Sequence, residues 1–129
     1  MAPLAEELGA TTLLQCDLTD EAQLAAVVTE LDSKWGKLDF VVHAIAFSDR
    51  AELSGEYLNT SRDNFIKSMI ISCFSFTEIA KEASKIMGKG SSLLTLTYAG
   101  SERVVPNYNV MGVCKAALES SVKYLSTDL

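Results

Sequence analysis

Tyr108 and Lys115 stand seven residues apart in the run Pro106-Asn107-Tyr108-Asn109-Val110-Met111-Gly112-Val113-Cys114-Lys115. A second tyrosine, Tyr98, lies ten residues upstream of the first, after the apolar run Leu93-Leu94-Thr95-Leu96-Thr97. A phenol and an ammonium can together stabilise developing negative charge. An ammonium close to a buried phenol favours the phenolate and strengthens the phenol as a hydrogen-bond donor. Seven residues is close to two turns of a helix with ~3.6 residues per turn, so the spacing predicts that Tyr108 and Lys115 share one helix face. On residue type alone, such a pair is more often an amphipathic packing residue beside a solvated charge. The weight therefore falls on the elements that would hold it.

Residues 3–8 read as the end of a helix closed by Gly9, and residues 12–16 as a short apolar strand. Thr19 is the expected N-cap of the next helix, with Asp20 and Glu21 at its positive end. Leu24, Val27, Val28, Leu31 and Trp35 recur at helical spacing, and Gly36 stops that helix. The continuous apolar run 38–45 predicts a strand buried on both faces, as in a parallel sheet. A loop is expected over 46–60, and Thr60-Ser61-Arg62-Asp63 resembles a capping box. It would open one long helix to about Met87, with Phe65, Met69, Cys73, Phe76, Ala80, Ala83 and Met87 along its buried stripe. Gly88-Lys89-Gly90 should end it, residues 92–98 should form a third buried strand, and a last helix should run from about residue 107.

That order predicts an α/β protein with a parallel sheet, whose ligands bind beyond the carboxyl ends of the strands. Asp17, Ile45, Ser48 and Tyr98 all fall there. Taken singly, Asp17 is more often a helix-start acid, Ile45 core and Ser48 a solvated turn residue. Their shared position at three strand ends makes them candidates together.

The bulk properties narrow the function. With 129 residues, 48% of them hydrophobic and 22% charged, the chain suits one small globular domain. A net charge of -6 argues against nucleic acid or an anionic membrane surface as the main partner. No membrane span and no secretory signal layout is read from the sequence. The cysteines Cys16, Cys73 and Cys114 are odd in number and form no Cys-x-x-Cys pair, so free buried thiols and a reducing cytoplasm are expected. His43 is the only histidine, and no metal site is expected around it.

The strings Leu14-Gln15-Cys16-Asp17-Leu18, His43-Ala44-Ile45-Ala46-Phe47, Leu94-Thr95-Leu96-Thr97-Tyr98 and Pro106-Asn107-Tyr108-Asn109-Val110-Met111-Gly112, with Lys115, carry a resemblance. It covers essentially the whole chain. The chain resembles the bacterial NADH-dependent enoyl-[acyl-carrier-protein] reductases, a branch of the short-chain dehydrogenase/reductase superfamily. Most of that superfamily places the lysine four residues after the tyrosine. Here that position is Gly112, and the longer spacing with Tyr98 upstream is specific to the enoyl reductase branch. Ala46, where some members have glycine, and Cys114, where alanine is common, are the departures.

The resemblance implies that Tyr108 donates to the thioester carbonyl of a trans-2-enoyl substrate while hydride from NADH reaches the β carbon. It implies that Lys115 holds the nicotinamide ribose and that Tyr98 lines the substrate pocket. Asp17 and the Leu18 backbone would meet the adenine, Ile45 would pack on the cofactor, and Ser48 would approach the acyl chain. The implied partners are an acyl-carrier protein bearing the enoyl thioester and, for the complete enzyme, a homotetramer assembled through helices 61–87 and 107–128.

Members of that family are about twice as long, so residues 1–129 are expected to form an incomplete Rossmann-like doubly wound parallel sheet. It would hold the equivalents of strands 3, 4 and 5 without the glycine-rich strand–turn–helix, the later strands or the substrate lid. The isolated chain is then expected to bind NADH weakly and to be unstable or self-associating. Two other functions compete: a non-catalytic segment that keeps the dimerisation helices, and a short-chain reductase for another carbonyl compound. The tyrosine-to-lysine spacing speaks against the latter.

Overall fold

Two of the helices begin where a short polar side chain accepts from a free N–H group, and one of these stops where a glycine takes a left-handed backbone. The structure is a computed structural model and describes residues 2–129. Helix α1 spans Ala2–Glu7 and is followed by Gly9 at φ 68. Helix α2, Glu21–Trp35, ends at Gly36 with φ 70, whose amide donates to the Asp32 carbonyl. Its N-cap is Asp20 rather than the expected Thr19: the Asp20 carboxylate accepts from the Ala22 amide at 3.0 Å. Thr19 is occupied otherwise, its amide and hydroxyl both donating to Asp17 Oδ1, at 2.9 and 2.7 Å.

Two strands form a parallel sheet, β1 (Leu38–His43) and β2 (Met87–Thr95). Val41 stands opposite Leu93, Val42 opposite Leu94 and His43 opposite Thr95. The first pairs are Leu38 with Met87 and Phe40 with Ser92, so β2 loops out across Gly88–Ser91. Gly90, at φ 90, supplies the backbone that this excursion needs. The third strand expected at 12–16 does not form. Thr12, Leu14 and Cys16 are half-buried and Leu13 and Gln15 exposed, the alternation of a strand, but no other strand among the described residues pairs with this segment. An extended segment without a neighbour has no ladder to complete. Nor is the sheet buried on both faces: Phe40, Val42 and Leu94 are exposed.

The long helix expected over 61–87 is three pieces: α3 (Arg62–Met69), a π turn (Ile70–Phe74) and α4 (Ser75–Ala83). Ser61, not Thr60, caps it, accepting from the Asn64 amide at 3.2 Å. The reciprocal partner is not Asp63 but Glu52, which accepts from the Ser61 amide and hydroxyl at 2.9 and 2.7 Å. Glu52 lies in one of two 3-10 turns, Arg50–Glu52 and Tyr57–Asn59, that order the expected loop. The wide turn also changes the buried stripe. Before it the buried residues are Asn64 and Ser68, while Phe65 is exposed; from Ser72 onward Cys73, Ser75, Phe76, Ala80 and Ala83 are buried. Met87 belongs to β2 instead of the helix.

Helix α5, Val110–Asp128, starts three residues later than expected. Cys73, Phe76 and Leu118 form the centre of the core, with Met69, Leu93, Ala117 and Leu125 packed around them. Helix α2 lies on α4 through an apolar stripe in which Leu24 and Val28 are buried. Among the described residues, no helix is long and apolar enough to cross a membrane.

Candidate functional site

Beyond the carboxyl end of β2 the chain stays extended to Tyr98 (φ −151, ψ 151) and then enters the 3-10 turn Ala99–Ser101. One face of α5 receives this segment at three successive levels. Gly112 touches the Gly100 carbonyl: a Cβ on Gly112 would lie 2.7 Å from that oxygen, and one on Gly100 would lie 2.3 Å from Tyr108 Cδ1. Lys115, buried, donates from Nζ to the Leu96 carbonyl at 2.7 Å. Glu119 accepts from Ser101 Oγ at 2.5 Å and, through the same oxygen, from Thr97 Oγ1.

Tyr108 does not share a helix face with Lys115. It sits in the turn before α5, between Asn107 at φ 60 and Asn109 at φ 38, both at positive φ, which asparagine adopts more readily than most residues. This turn places the Tyr108 ring against that of Tyr98, centroids 4.9 Å apart at 67°, an edge-on aromatic pair. Asn109 Nδ2 fastens the turn to the Glu52 and Gly55 carbonyls at 3.2 and 3.3 Å.

The electrostatics also depart from expectation. Burial, with smaller contributions from Tyr98 and Cys114, pushes the Tyr108 phenol above its ordinary value. The phenolate is thus disfavoured, and Tyr108 is held as a protonated donor. Burial lowers the Lys115 ammonium. Among the described residues no hydrogen bond joins the two side chains, and the nearest fixed partner of the lysine is the Leu96 carbonyl. The Cys114 thiol is pushed up to about 11, chiefly by burial, and is inert at neutral pH. All three cysteines are free; Cys73 and Cys114 are buried, whereas Cys16 is only half-buried.

The loop after β1 carries Ile45 and Ser48. Ile45 is exposed and apolar instead of core, and Ser48 is half-buried, its hydroxyl donating to Asn64 Oδ1 at 3.3 Å. Asn64 Oδ1 also accepts from the Asp49 amide at 2.9 Å, and Ser72 Oγ accepts from the Phe47 amide at 2.9 Å. The buried polar stripe of α3 and the π turn therefore fixes this loop. Behind it His43 is buried, Nδ1 2.9 Å from Thr95 Oγ1 and Nε2 2.8 Å from Ser75 Oγ. Ser75 spends its proton on the Ile71 carbonyl at 2.7 Å, so Nε2 donates to Ser75, and Thr95 Oγ1 lies within reach of both Nδ1 and the His43 carbonyl, at 2.9 and 3.2 Å. Burial, helped by the Lys115 charge, lowers the pKa of His43 and keeps the ring neutral.

Asp17 is exposed; its hydrogen bonds from Thr19 hold its carboxyl below the usual range, and Lys67 adds to this. Lys67 Nζ also lies 4.7 Å over the Phe47 ring, so it stands between the Asp17 turn and the Ser48 loop. Leu18, beside Asp17, is half-buried. Among the described residues no hydrogen bond connects Asp17 or Ser48 to Tyr98, Tyr108 or Lys115. The structure thus packs Tyr98 on Tyr108, ties Lys115 to the Leu96 carbonyl two residues before Tyr98, and leaves Asp17, Ile45 and Ser48 on the adjoining loops. Sequence reasoning missed Asn64, Glu119 and Gly100. The stripe read from the sequence ran through Phe65 and Met69, so the burial of Asn64 gave no signal there.

A family model described as Enoyl-(Acyl carrier protein) reductase matches residues 1–129. The chain is 61% identical over 127 residues to the enoyl-[acyl-carrier-protein] reductase [NADH] 1 of Rhizobium meliloti (strain 1021), covering 98% of this chain and 47% of that protein. It superposes with a TM-score of 0.96 and 57% identity on the enoyl-acyl-carrier-protein reductase of Anaplasma phagocytophilum in complex with NAD, over 99% of this chain and 49% of that one. The Bacillus cereus reductase with NADP+ and an indole naphthyridinone is similar over 90% of this chain and 45% of its own, at 52% identity and a TM-score of 0.88. The chain spans about half the length of the curated relatives it matches.

Proposed function

The chain belongs to the enoyl-(acyl carrier protein) reductase family, and on that premise we propose that it supplies the tyrosine–lysine part of a site reducing the trans-2 double bond of enoyl thioesters on acyl-carrier protein. The observation that carries the proposal is the packing of Tyr98 on Tyr108 just past β2, with Lys115 tied to the Leu96 carbonyl two residues before Tyr98. Tyr108, kept protonated by burial, donates to the thioester carbonyl oxygen as negative charge develops there. Tyr98, half exposed and edge-on to Tyr108, walls the substrate side and holds the Tyr108 ring.

The residues present fit a nicotinamide dinucleotide. Lys115 uses one N–H on Leu96 and keeps two for ribose hydroxyls. Asp17 uses Oδ1 on Thr19, leaving Oδ2 to accept from an adenine amino group, with the Leu18 backbone beside it. Ile45 offers an exposed apolar surface to a ring, and Ser48 a hydroxyl toward the acyl chain. NADH, when bound, supplies the hydride for the β carbon. Gly112 disfavours the shorter tyrosine–lysine spacing of other short-chain reductases, because a side chain there would run into the Gly100 carbonyl. The reading includes a cytoplasmic setting and a homotetramer built through α3, α4 and α5.

A chimera tests it: this chain replaces the matched span of the Rhizobium meliloti reductase, and NADH oxidation is followed with a crotonyl thioester. Retained activity is expected, with Tyr108→Phe lowering kcat about 10²-fold or more. A folded but inactive chimera overturns the function, and an unchanged rate in Tyr108→Phe overturns the role of Tyr108.

A further inference from the structure

Tyr98 is the less anchored member of the pair: it is half exposed, lies outside any helix or strand, and is flanked by a 3-10 turn of three residues. Its own ring contact with Tyr108 does not set its backbone. The backbone is set by the residues on either side of it. Thr97 precedes Tyr98 directly and Ser101 closes the turn after it, and both hydroxyls donate to one oxygen of Glu119 on α5. Glu119 lies four residues beyond Lys115, on the helix face that also meets Leu96 through Lys115 and Gly100 through Gly112. A single carboxylate oxygen therefore straddles the tyrosine from a rigid helix. The hydrogen bonds from Ser101, then from Thr97, and then the Lys123 charge hold the Glu119 carboxyl below its usual range, so it stays an acceptor through the neutral region.

We propose that Glu119 is a positioning residue that clamps Thr97 and Ser101 and thereby holds the Tyr98 ring against Tyr108. The clamp is a geometric claim. Its catalytic consequence rests on the reductase reading above. Because the required groups are acceptors, a neutral amide oxygen at the same place can do the same work, and glutamine retains one.

The test is carried out on the 129-residue chain, with isotope-labelled tyrosine and ring-to-ring nuclear Overhauser contacts as the readout. The Tyr98–Tyr108 cross-peaks are expected in the unsubstituted chain, lost in Glu119→Ala and kept in Glu119→Gln. Where Glu119→Ala fails to fold, the double variant Thr97→Val with Ser101→Ala removes the donors instead and is expected to lose the same cross-peaks. Their absence from the unsubstituted chain, their persistence in Glu119→Ala or in the double variant, or their loss in Glu119→Gln overturns the clamp. In the chimera, Glu119→Ala is expected to lower kcat about tenfold to a hundredfold, with KM little changed and the rate restored in Glu119→Gln. An inactive parent chimera counts against the reductase reading and leaves the clamp to be decided by the ring contacts.

Discussion

On one face of the sheet, Val41, His43, Leu93 and Thr95 turn toward the helices; on the other, Phe40, Val42, Leu94 and, just past β2, Leu96 stand 65%, 51%, 48% and 58% exposed. The residues come from the same two strands and alternate along them. The bare face is the more apolar of the two, and the covered face carries a histidine and a threonine. Hydrophobicity therefore did not choose the covered side. The helices did: α4 and α5 bring Phe76 and Leu118 to Leu93, and Ser75 to His43. Apolar area stabilises only where water is excluded, at roughly 25 cal/mol per Å², so equal side chains on the two faces contribute unequally. On the covered side lies α5, whose Gly112 and Glu119 meet the turn that carries Tyr98.

The largest expected contrast sets Leu118→Ala against Leu94→Thr. Leu118 is fully buried, and its truncation should cost about 2–5 kcal/mol in urea unfolding. Leu94→Thr, on the bare face, should stay within about 0.5 kcal/mol. Similar losses for the two would show that something covers both faces in solution. Next in size is Gly112→Ala, where the new methyl meets the Gly100 carbonyl at 2.7 Å. It should destabilise by about 1–3 kcal/mol, and it should also shift the Tyr98 and Tyr108 ring resonances. A stable variant with unmoved resonances would mean that α5 and the turn after β2 are not in contact.

The smallest effect is a pH dependence that belongs to the covered face alone. His43 is depressed below its reference of 6.5 in the folded chain, so the unfolded chain binds the extra proton first. The stabilisation is complete above that value and is lost as pH falls from it toward the folded pKa. Urea midpoints should therefore drop between about pH 7 and pH 5.5, before the carboxylates titrate. The drop should vanish in His43→Phe. A persistent drop in that variant would place the titrating group elsewhere.

Much of this architecture is readable locally. Gly36 ends α2 because a left-handed residue satisfies a terminal carbonyl, and any glycine after that apolar period says so. Strand β1 lies within the apolar run that announces it, whereas β2 starts at Met87, ahead of the expected 92–98, and ends at Thr95, because Gly88–Ser91 joins it through a bulge that only the neighbouring strand defines. Residues 12–16 read as a strand because their composition is that of one, yet pairing is a property of two segments. The π turn at Ile70–Phe74 was hidden for a similar reason. Its signal is a set of serines whose partners, the Phe47 amide and the His43 ring, come from β1 and the loop after it. Asp17, Ile45, Ser48 and Tyr98 did lie beyond strand-like runs, as reading those runs required, but which of them touch was not legible.

By itself the sequence determined the residue types at the site, the family strings that contain them, and the small residue at 112 that the close approach demands. Only the tertiary structure decided their relation. The seven-residue spacing suggested a shared helix face, whereas Tyr108 lies in a turn and packs on Tyr98, and Lys115 spends its first hydrogen bond on Leu96. Periodicity describes neighbours within one element. The site is built between elements, where side-chain volume and unpaired polar groups, not spacing, settle which atoms meet.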